Sequence, residues 1–562
     1  MSNHLKRKRK LGEEADFEPL HDFFTEFIGQ KLGELDRQQL KQPKKLRGFV
    51  KKQLLGIGSS LVVNGTSHTF DDENLTPKSV SWNEGLAKNF TAQQDELTPE
   101  NQTLFNIINR YADMLAFPTS KDHRDIYIAH IVNHIIRTRN LVIQNKQKLA
   151  AAQEKDDVSE ELVESLRDQG FVRPTVLVLC PFKKDAYDLV QRLKQLIFGG
   201  SKPDVMKGAR FESEFSSPQE APEFDDAIDE DTRELLTGNN DDCFRLGIAL
   251  SKKTLKLFEP FERADILLCS PLGLRMILEK EVGEESHLIS SLNISVLDGM
   301  DVMLQQNWQN VTLIFEKMLQ QPSKINTEIS RVRQYFLDGD SKHFHQLLAF
   351  SKHPHELFTA LVLKESLNHR GLVVAQPSKE GTLDNILIPL CQELHRFDVK
   401  PGADQSDSRF DYFKSQILST LKTRTCLVIP SYFDFVRLRN HLKRMEESFV
   451  ACHEYADKTK IKRAKDLFFH ERKSYLLVTE RFYYFNRRRL RGIDQIVFYQ
   501  LPSHPKFYSD FINMARDQQG RRFKAVLLYT RSDRTRLENT FGSEMAAGIL
   551  SSDKTVQAIV SE

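Results

Sequence analysis

Two aspartates in the stretch ISVLDGMDVML, residues 294–304, have a spacing that could support nucleotide chemistry. Apolar and β-branched residues lead up to Asp298, and Gly299 and Asp301 follow it. A carboxylate at the end of a buried strand is a typical Mg²⁺ ligand in nucleotide-driven motors. Such motors carry a second carboxylate directly after the first, where this chain has glycine. Three interpretations of the segment are open at this point: an active ATPase site, a vestigial ATPase site and an ordinary turn.

The other half of such a site would be a glycine-rich phosphate loop ending in lysine, whose backbone N–H groups close round the phosphates. No glycine in this chain is followed by lysine, and residues 86–169, ahead of the strand TVLVLC, contain no glycine. Losing one positioned catalytic group costs on the order of 10²–10³ in rate. We therefore predict that ATP is not hydrolysed. We also predict that Asp298 stabilises a turn by capping a helix that begins near Val302.

Predicted strands place these residues at one edge of a sheet. Short apolar runs alternate with amphipathic stretches, a pattern typical of parallel sheets covered on both faces. The predicted strands are residues 175–180, 264–270, 293–298, 345–351, 371–376, 425–431, 474–480, 494–502 and 523–530. Residues 103–117 and 124–145 have the spacing of helices. Ligands of such sheets lie at the carboxyl ends of the strands.

Length, composition and charge suggest several segments. The 562 residues exceed one core. We predict a basic, largely disordered tail over 1–95, a first lobe over 96–385 with a disordered acidic insertion at about 205–242, and a second lobe over 386–562. Residues 211–242 hold twelve acidic residues and one arginine. No apolar run approaches the roughly 20 residues that span a bilayer, and six scattered cysteines without a C-x-x-C spacing suit a reducing compartment.

Basic and aromatic residues alternate in ERFYYFNRRRLRG, residues 480–492. Guanidinium groups contact phosphates and rings stack on unpaired bases, so this string is the best candidate for an RNA contact, although buried rings beside a solvated arginine face would give the same pattern. The candidate RNA-binding residues are Arg481, Tyr483, Tyr484, Arg487, Arg488, Arg489 and Arg491, with Lys183, Lys184 and Arg275 at first-lobe strand ends. The basic run Lys6, Arg7, Lys8, Arg9 and Lys10 is typical of nuclear import.

His130 and His134 stand four residues apart on a predicted helix, a spacing compatible with zinc. Ile131 follows the first histidine where a zinc-binding H-E-x-x-H sequence has glutamate, and no third ligand is apparent. We therefore expect both histidines to pack or to form hydrogen bonds, and we predict neither a metal nor a cofactor.

The strand ends resemble those of the DEAD-box RNA helicases, which have two RecA-like lobes. VLVLCPFKKDA, ILLCSPLGLRMIL, ISVLDGMDVML and LLAFSKH follow the first-lobe order, and CLVIPSYFDFVRLRNHL follows the second. Arg516, Arg521 and Arg522 lie where that family has arginine fingers. YADMLAFP, YIAHIVNHIIRTR, LDGMDVMLQQNW and TERFYYFNRRRLRGI resemble more closely the digestive organ expansion factor family, whose fungal members are U3 small nucleolar RNA-associated proteins.

That resemblance implies an α/β fold of superfamily 2 type and a place in the small-subunit processome of the nucleolus. The implied partners are U3 RNA, pre-ribosomal RNA and other processome proteins, and the implied work is pre-18S rRNA processing. With Asp298, Gly299 and Asp301 as a vestigial second helicase motif, the chain is expected to be a pseudo-helicase. Two alternatives remain open, an active ATP-dependent helicase with degenerate motifs and a scaffold that binds only proteins.

Overall fold

The chain folds around two separate sheets. The computed structural model describes residues 21–42, 48–66, 75–93, 96–217, 230–251, 254–279, 285–322, 325, 327–487, 489–517 and 523–561. The first sheet has eleven described strands and the second has seven. In both sheets the central strands pair in parallel, and helices cover both faces. The predicted class, two RecA-like α/β lobes, is confirmed.

The strands of lobe 1 are β1 Val50–Leu54, β2 Gly58–Asn64, β3 Asp113–Ala116, β4 Val176–Leu179, β5 Val205–Met206, β6 Arg245–Leu250, β7 Leu255–Leu257, β8 Ile266–Cys269, β9 Ile294–Asp298, β10 Gln346–Phe350 and β11 Gly371–Ala375. Its α-helices are Phe23–Gly29, Glu34–Lys41, Glu84–Gln93, Pro99–Asn109, His123–Glu154, Glu160–Ser165, Lys183–Phe198, Gly208–Phe215, Glu230–Leu236, Pro271–Leu278, Met300–Lys317, Gln334–Leu337 and Glu356–Glu365.

The strands of lobe 2 follow β11 in the chain. Its strands are β12 Leu390–Arg396, β13 Thr425–Ile429, β14 Phe449–Cys452, β15 Tyr475–Thr479, β16 Gln495–Phe498, β17 Lys524–Tyr529 and β18 Val556–Ser561. Its α-helices are Gln405–Tyr412, Tyr432–Arg444, Lys458–Phe469, Glu480–Asn486, Lys506–Asn513, Arg534–Phe541 and Ser543–Ser551. The strand order is β1-β2-β11-β3-β10-β9-β4-β8-β6-β7-β5 in the first sheet and β14-β15-β13-β16-β17-β12-β18 in the second. Strands β13, β15, β16 and β17 are buried over nearly their whole length, as expected for a sheet covered on both faces.

Strand β3 lies where the sequence pattern predicted helix over residues 103–117. The helix Pro99–Asn109 ends before Tyr111, whose φ of 61° is left-handed, and the chain then enters β3. A four-residue buried strand cannot be distinguished from helix by periodicity alone. Strand β3 leads into the loop at the position where a phosphate-binding loop would lie.

The described part of residues 21–95 packs into lobe 1, so the predicted boundary at residue 96 is too late. Strand β2 pairs with β11, and Phe27, Trp82 and Phe90 lie in the lobe 1 core. Aromatic side chains in short polar segments bury large apolar areas that periodicity does not reveal. The basic run at Lys6, Arg7, Lys8, Arg9 and Lys10 lies outside the described residues.

The acidic insertion is likewise ordered where it is described, which corrects the prediction of disorder there. Phe211 and Phe215 on the helix Gly208–Phe215 are buried in the lobe 1 core. After residues 218–229, which are not described, the helix Glu230–Leu236 follows. We call this helix, the only described helix between Phe215 and β6, the acidic helix.

Candidate functional site

A cavity of about 540 Å³ lies between the lobes at the carboxyl ends of the lobe 1 strands. We call it the cleft. Its walls come from the loop after β3, the ends of β4, β9 and β10, the acidic helix and lobe 2, and the charged and polar groups that line it include Lys121, His123, Arg124, Lys184, Asp185, Asp231, Glu234, Asp298, Asp301, Lys352, His353, Tyr484, Arg487 and His504. This is the position at which open α/β sheets bind ligands.

Asp298 forms the floor of the cleft and is only 3% exposed. Arg124 Nε lies 2.8 Å from its Oδ2, and the Tyr127 hydroxyl donates to the same oxygen at 2.7 Å. His123 Nε2 is 3.8 Å from Oδ1. Burial alone would raise the pKa of Asp298, but the charge of Arg124 holds that pKa well below its usual range. The carboxylate is thus ionised and already has a cation.

Arg124 is shared among three carboxylates. The helix His123–Glu154 starts directly after the β3 loop, which brings the side chain of Arg124 into the cleft. Its Nη2 and Nη1 contact Asp185 at 3.2 Å and Asp188 at 2.8 Å, while Nε contacts Asp298. The guanidinium is therefore the positive charge beside Asp298 where a nucleotide hydrolase would hold Mg²⁺ against phosphate.

Gly299 adopts a left-handed backbone with φ of 85°, and a Cβ there would lie 3.3 Å from Cγ and Cδ of Pro181. Gly299 is also the residue before the helix Met300–Lys317, which has no side-chain cap. The prediction that Asp298 caps this helix is wrong, because its side chain points to Arg124 and Tyr127. Asp301 Oδ1 accepts from the backbone N–H of Lys352 at 3.1 Å, which ties the start of the helix Met300–Lys317 to the residues that follow β10.

The loop after β3, residues 117–122, is held by protein side chains. Thr119 donates through its backbone N–H to Glu100 Oε1 at 3.2 Å and through its hydroxyl to Glu100 Oε2 at 2.5 Å. Lys121 Nζ pairs with Glu234 Oε1 at 2.5 Å. Carboxylates of this chain thus contact the loop where a phosphate loop would contact its ligand.

The two lobes also meet through one half-buried and one buried polar contact. Arg536 of lobe 2 donates through Nε to Glu356 of lobe 1 at 2.8 Å. Gln305 of lobe 1 donates to Glu480 of lobe 2 at 3.1 Å. Burial raises the pKa of Glu480, and the backbone N–H groups of Ser503 and His504 oppose that rise. Arg516 is described in lobe 2, while Arg521 and Arg522 lie outside the described residues.

The aromatic part of the predicted RNA-binding string is core. Tyr483 and Tyr484 are 6% and 3% exposed, so the prediction that they stack on bases is corrected. Arg487 lies 4.3 Å from the centre of the Phe507 ring, with 6% of its side chain exposed. Among the other arginines of the string, Arg481 is half-buried, Arg489 and Arg491 are exposed, and Arg488 is not described.

The predicted lobe 1 contacts are also engaged within the chain. Lys183 Nζ pairs with Asp241 at 2.7 Å. Lys184 Nζ donates to three backbone carbonyl groups at and beyond the end of the acidic helix. Arg275 contacts Glu279 at 2.9 Å and Asn310 at 2.8 Å. The acidic insertion therefore covers two of the three residues expected to meet RNA.

An exposed aromatic pair in lobe 2 was missed by the sequence analysis. Phe433 is 79% exposed and Tyr455 is 67% exposed, and the Tyr455 ring lies 4.8 Å from that of Tyr432. The adjoining helix Lys458–Phe469 carries five basic residues within its first eight. The string KTKIKRAK was the available signal, but the rings lie in separate segments. We call Phe433, Tyr455 and the basic half of this helix the lobe 2 platform.

His130 and His134 are packed and hydrogen-bonded, as expected. His130 Nε2 lies 2.9 Å from Gln346 Oε1, and His134 Nδ1 lies 3.0 Å from the Tyr111 hydroxyl. In the described ranges, no group of three or more His, Cys, Asp or Glu side chains has the arrangement of a metal site. No helix within those ranges is long and apolar enough to cross a bilayer.

Two family models match this chain. One, described as "UTP25, NTP hydrolase-like domain", covers residues 109–373, and the other, "Utp25, C-terminal domain", covers residues 382–559. The U3 small nucleolar RNA-associated protein 25 homolog of Xenopus tropicalis is 32% identical over 96% of this chain and 73% of its own length. The human homolog is 34% identical over 82% and 63% respectively. The chain thus spans 63–73% of the length of these two relatives.

Similar solved structures include DEAD-box proteins. The yeast splicing factor Prp28 is 12% identical, covers 93% of this chain and 96% of its own, and has a TM-score of 0.29. A DEAD box protein from Methanococcus jannaschii is also 12% identical, with coverages of 84% and 95% and a TM-score of 0.27. At such scores the fold assignment rests on strand order, not on these likenesses.

Replacing Asp298 by asparagine is expected to destabilise lobe 1. Removing one partner of a buried ion pair typically costs about 3–5 kcal/mol, and we expect about 3 because Arg124 keeps Asp185 and Asp188. Both tryptophans, Trp82 and Trp308, lie in lobe 1, so urea unfolding followed by their fluorescence measures this lobe. Asp301→Asn is the matched control and keeps an acceptor for Lys352. Equal stability of the two variants would contradict the structural role of Asp298.

The stability of lobe 1 is expected to fall in mild acid because of His130. Burial lowers the pKa of His130 to about 4 from its usual 6.5. The unfolded chain therefore binds this proton first, so the stability contribution is complete above pH 6.5 and is lost as pH falls toward 4. Between pH 7.5 and 5, the wild type should lose about 2 kcal/mol more unfolding free energy than His130→Gln. Parallel pH profiles in urea titrations would refute this.

Proposed function

Because this chain belongs to the UTP25 family, we propose that it is a non-catalytic, RNA helicase-like subunit of the nucleolar small-subunit processome. In this role it serves pre-18S rRNA processing and small ribosomal subunit biogenesis, and it acts by binding U3 RNA, pre-ribosomal RNA and neighbouring processome proteins. The relatives' name, U3 small nucleolar RNA-associated protein 25, supports the assignment.

The observation that carries the non-catalytic assignment is the contact between Arg124 and Asp298. Phosphoryl transfer depends on a carboxylate that holds Mg²⁺ and on donors that surround the phosphates. Asp298 has its cation from the protein at 2.8 Å, and the loop after β3 has no glycine with which to wrap a phosphate. Gly299 offers no side chain to orient a water molecule. These features together favour a rigid binding body over a motor.

The lobe 2 platform is the surface that we propose for RNA. Phe433, Tyr455 and Arg481 follow β13, β14 and β15, and these strands are neighbours in the order β14-β15-β13. The carboxyl ends of neighbouring parallel strands share one edge, so the three side chains belong to one surface. Exposed rings stack on unpaired bases and nearby lysines contact phosphates. The platform takes over the role that the sequence pattern gave to Tyr483 and Tyr484.

The full chain is expected to release no phosphate from ATP above background, with or without single-stranded RNA. Gly299→Glu restores a carboxylate next to Asp298 but should remain inactive, since Arg124 still occupies Asp298 and glutamate strains the left-handed backbone. A sensitive phosphate-release assay measures both proteins. RNA-stimulated hydrolysis that disappears in Asp298→Asn would overturn the non-catalytic assignment.

Removing the platform rings is expected to weaken binding of a single-stranded RNA oligonucleotide. Stacking contributes about 1–3 kcal/mol per base, so Phe433→Ala and Tyr455→Ala should each raise Kd by about 5- to 150-fold in fluorescence anisotropy. Phe469→Ala is the matched control, because this ring is 47% exposed at the far end of the adjoining helix. Unchanged affinity in the platform variants, or an equal loss in the control, would exclude the platform.

A further inference from the structure

We propose that the acidic helix is an internal clasp that joins the two lobes across the cleft. In many two-domain proteins a bound ligand holds the domains closed around it. Here the acidic helix, which belongs to lobe 1 by chain order, spans the same gap and contacts both lobes. The proposal rests on contacts of described residues and does not depend on the proposed function.

Lobe 1 contacts the acidic helix in two ways, through ion pairs with a side chain and through hydrogen bonds to carbonyl groups at its C-terminal end. Glu234 pairs with Lys121 at 2.5 Å and with Lys352 at 3.0 Å, so one carboxylate joins the loop after β3 to the end of β10. Lys184 Nζ donates to the carbonyl oxygens of Glu234, Leu235 and Thr237, which is a cationic cap on the end of the helix. Burial lowers the pKa of Lys184 to about 8.

Lobe 2 is held by a different residue of the same helix. Asp231 forms an ion pair with Lys506, the first residue of the helix Lys506–Asn513, and lies 3.8 Å from Lys352 of lobe 1. Hydrogen bonding from Lys506 lowers the pKa of Asp231. Leu235 packs against the hydrophobic core of lobe 2. The helix therefore contributes both charge and apolar contact to the other lobe.

The clasp is built to be reversible. The side chains of Asp231 and Glu234 are 44% and 43% exposed, so their ion pairs are individually weak and are screened by salt. Arg536 of lobe 2 and Glu356 of lobe 1 also join the lobes, through a half-buried contact that does not involve the acidic helix. Opening the clasp would free Lys121, Lys184, Lys352 and Lys506 at the cleft without unfolding either lobe.

Two native cysteines provide a probe of the clasp. Cys243 in lobe 1 and Cys391 in lobe 2 are exposed, while the other four cysteines are buried. Spin labels on this pair report the distance between lobes in the full chain by pulsed electron resonance. The wild type should give one narrow distance distribution. The double variant Asp231→Lys, Glu234→Lys should give a broader distribution with a longer component, and acylation of Lys184 by an amine reagent should be at least ten-fold faster.

A matched charge control and a charge swap make the test decisive. Glu160→Lys with Glu161→Lys changes the net charge equally on an exposed helix and should leave the distances and Lys184 reactivity as in the wild type. Asp231→Lys combined with Lys506→Asp should restore the narrow distribution, which a variant that misfolds would not do. If the clasp variant keeps the wild-type distances and Lys184 reactivity, or the control changes both, the proposal is wrong.

Discussion

The buried ion pair between Arg124 and Asp298 is the constraint on which lobe 1 depends. The Arg124 guanidinium contacts Asp298 at the end of β9, and it also contacts Asp185 and Asp188 on the helix after β4. Charges buried this deeply persist only when they are paired and hydrogen-bonded. The pair therefore stabilises the strand ends at the position where a hydrolase would bind metal and nucleotide. At these strand ends the charge of Asp298 is balanced within the chain.

A cleft lined by paired charges of its own chain suits the proposed role as a fixed binding surface. Arg124 supplies the cation and the acidic helix supplies the anions, so the chain carries both halves of the charge pattern that a magnesium nucleotide would bring. Lobe 2 in turn presents Phe433 and Tyr455 on an edge that lies outside the cleft. In the role proposed for this chain, the arrangement would separate binding from turnover, because the proposed RNA surface lies outside the cleft.

Much of the fold could be predicted from the sequence, because buried parallel strands are short apolar runs that alternate with helices. Strands β4, β8, β9, β10, β13 and β15 follow directly from that pattern. Strand β3 could not be predicted in this way, since its four residues, DMLA, continue the pattern of the helix before it. The docking of Phe27 and Trp82 was also missed, because contacts over long sequence separation leave no local pattern.

The site was predictable only in part. Gly299 and the glycine-free interval indicated that the sequence pattern of a nucleotide hydrolase was incomplete. Arg124 gave no signal, since in HRDIYIAH it resembles any charged residue at a helix start. Tyr483 and Tyr484 misled for the opposite reason, because a basic and aromatic string is also what a helix buried on one face looks like. Whether these rings face solvent or the core is decided by tertiary packing, which the local sequence does not show.

The coupling energy between Arg124 and Asp298 tests the central claim most directly. A double-mutant cycle with Arg124→Gln and Asp298→Asn, read by tryptophan fluorescence in urea, isolates their interaction from its surroundings. A structural pair should give a coupling of about 2 kcal/mol or more in the unfolding free energy. Effects that add within about 0.5 kcal/mol would mean that Asp298 is held by other groups and that the cleft is free to accept a metal.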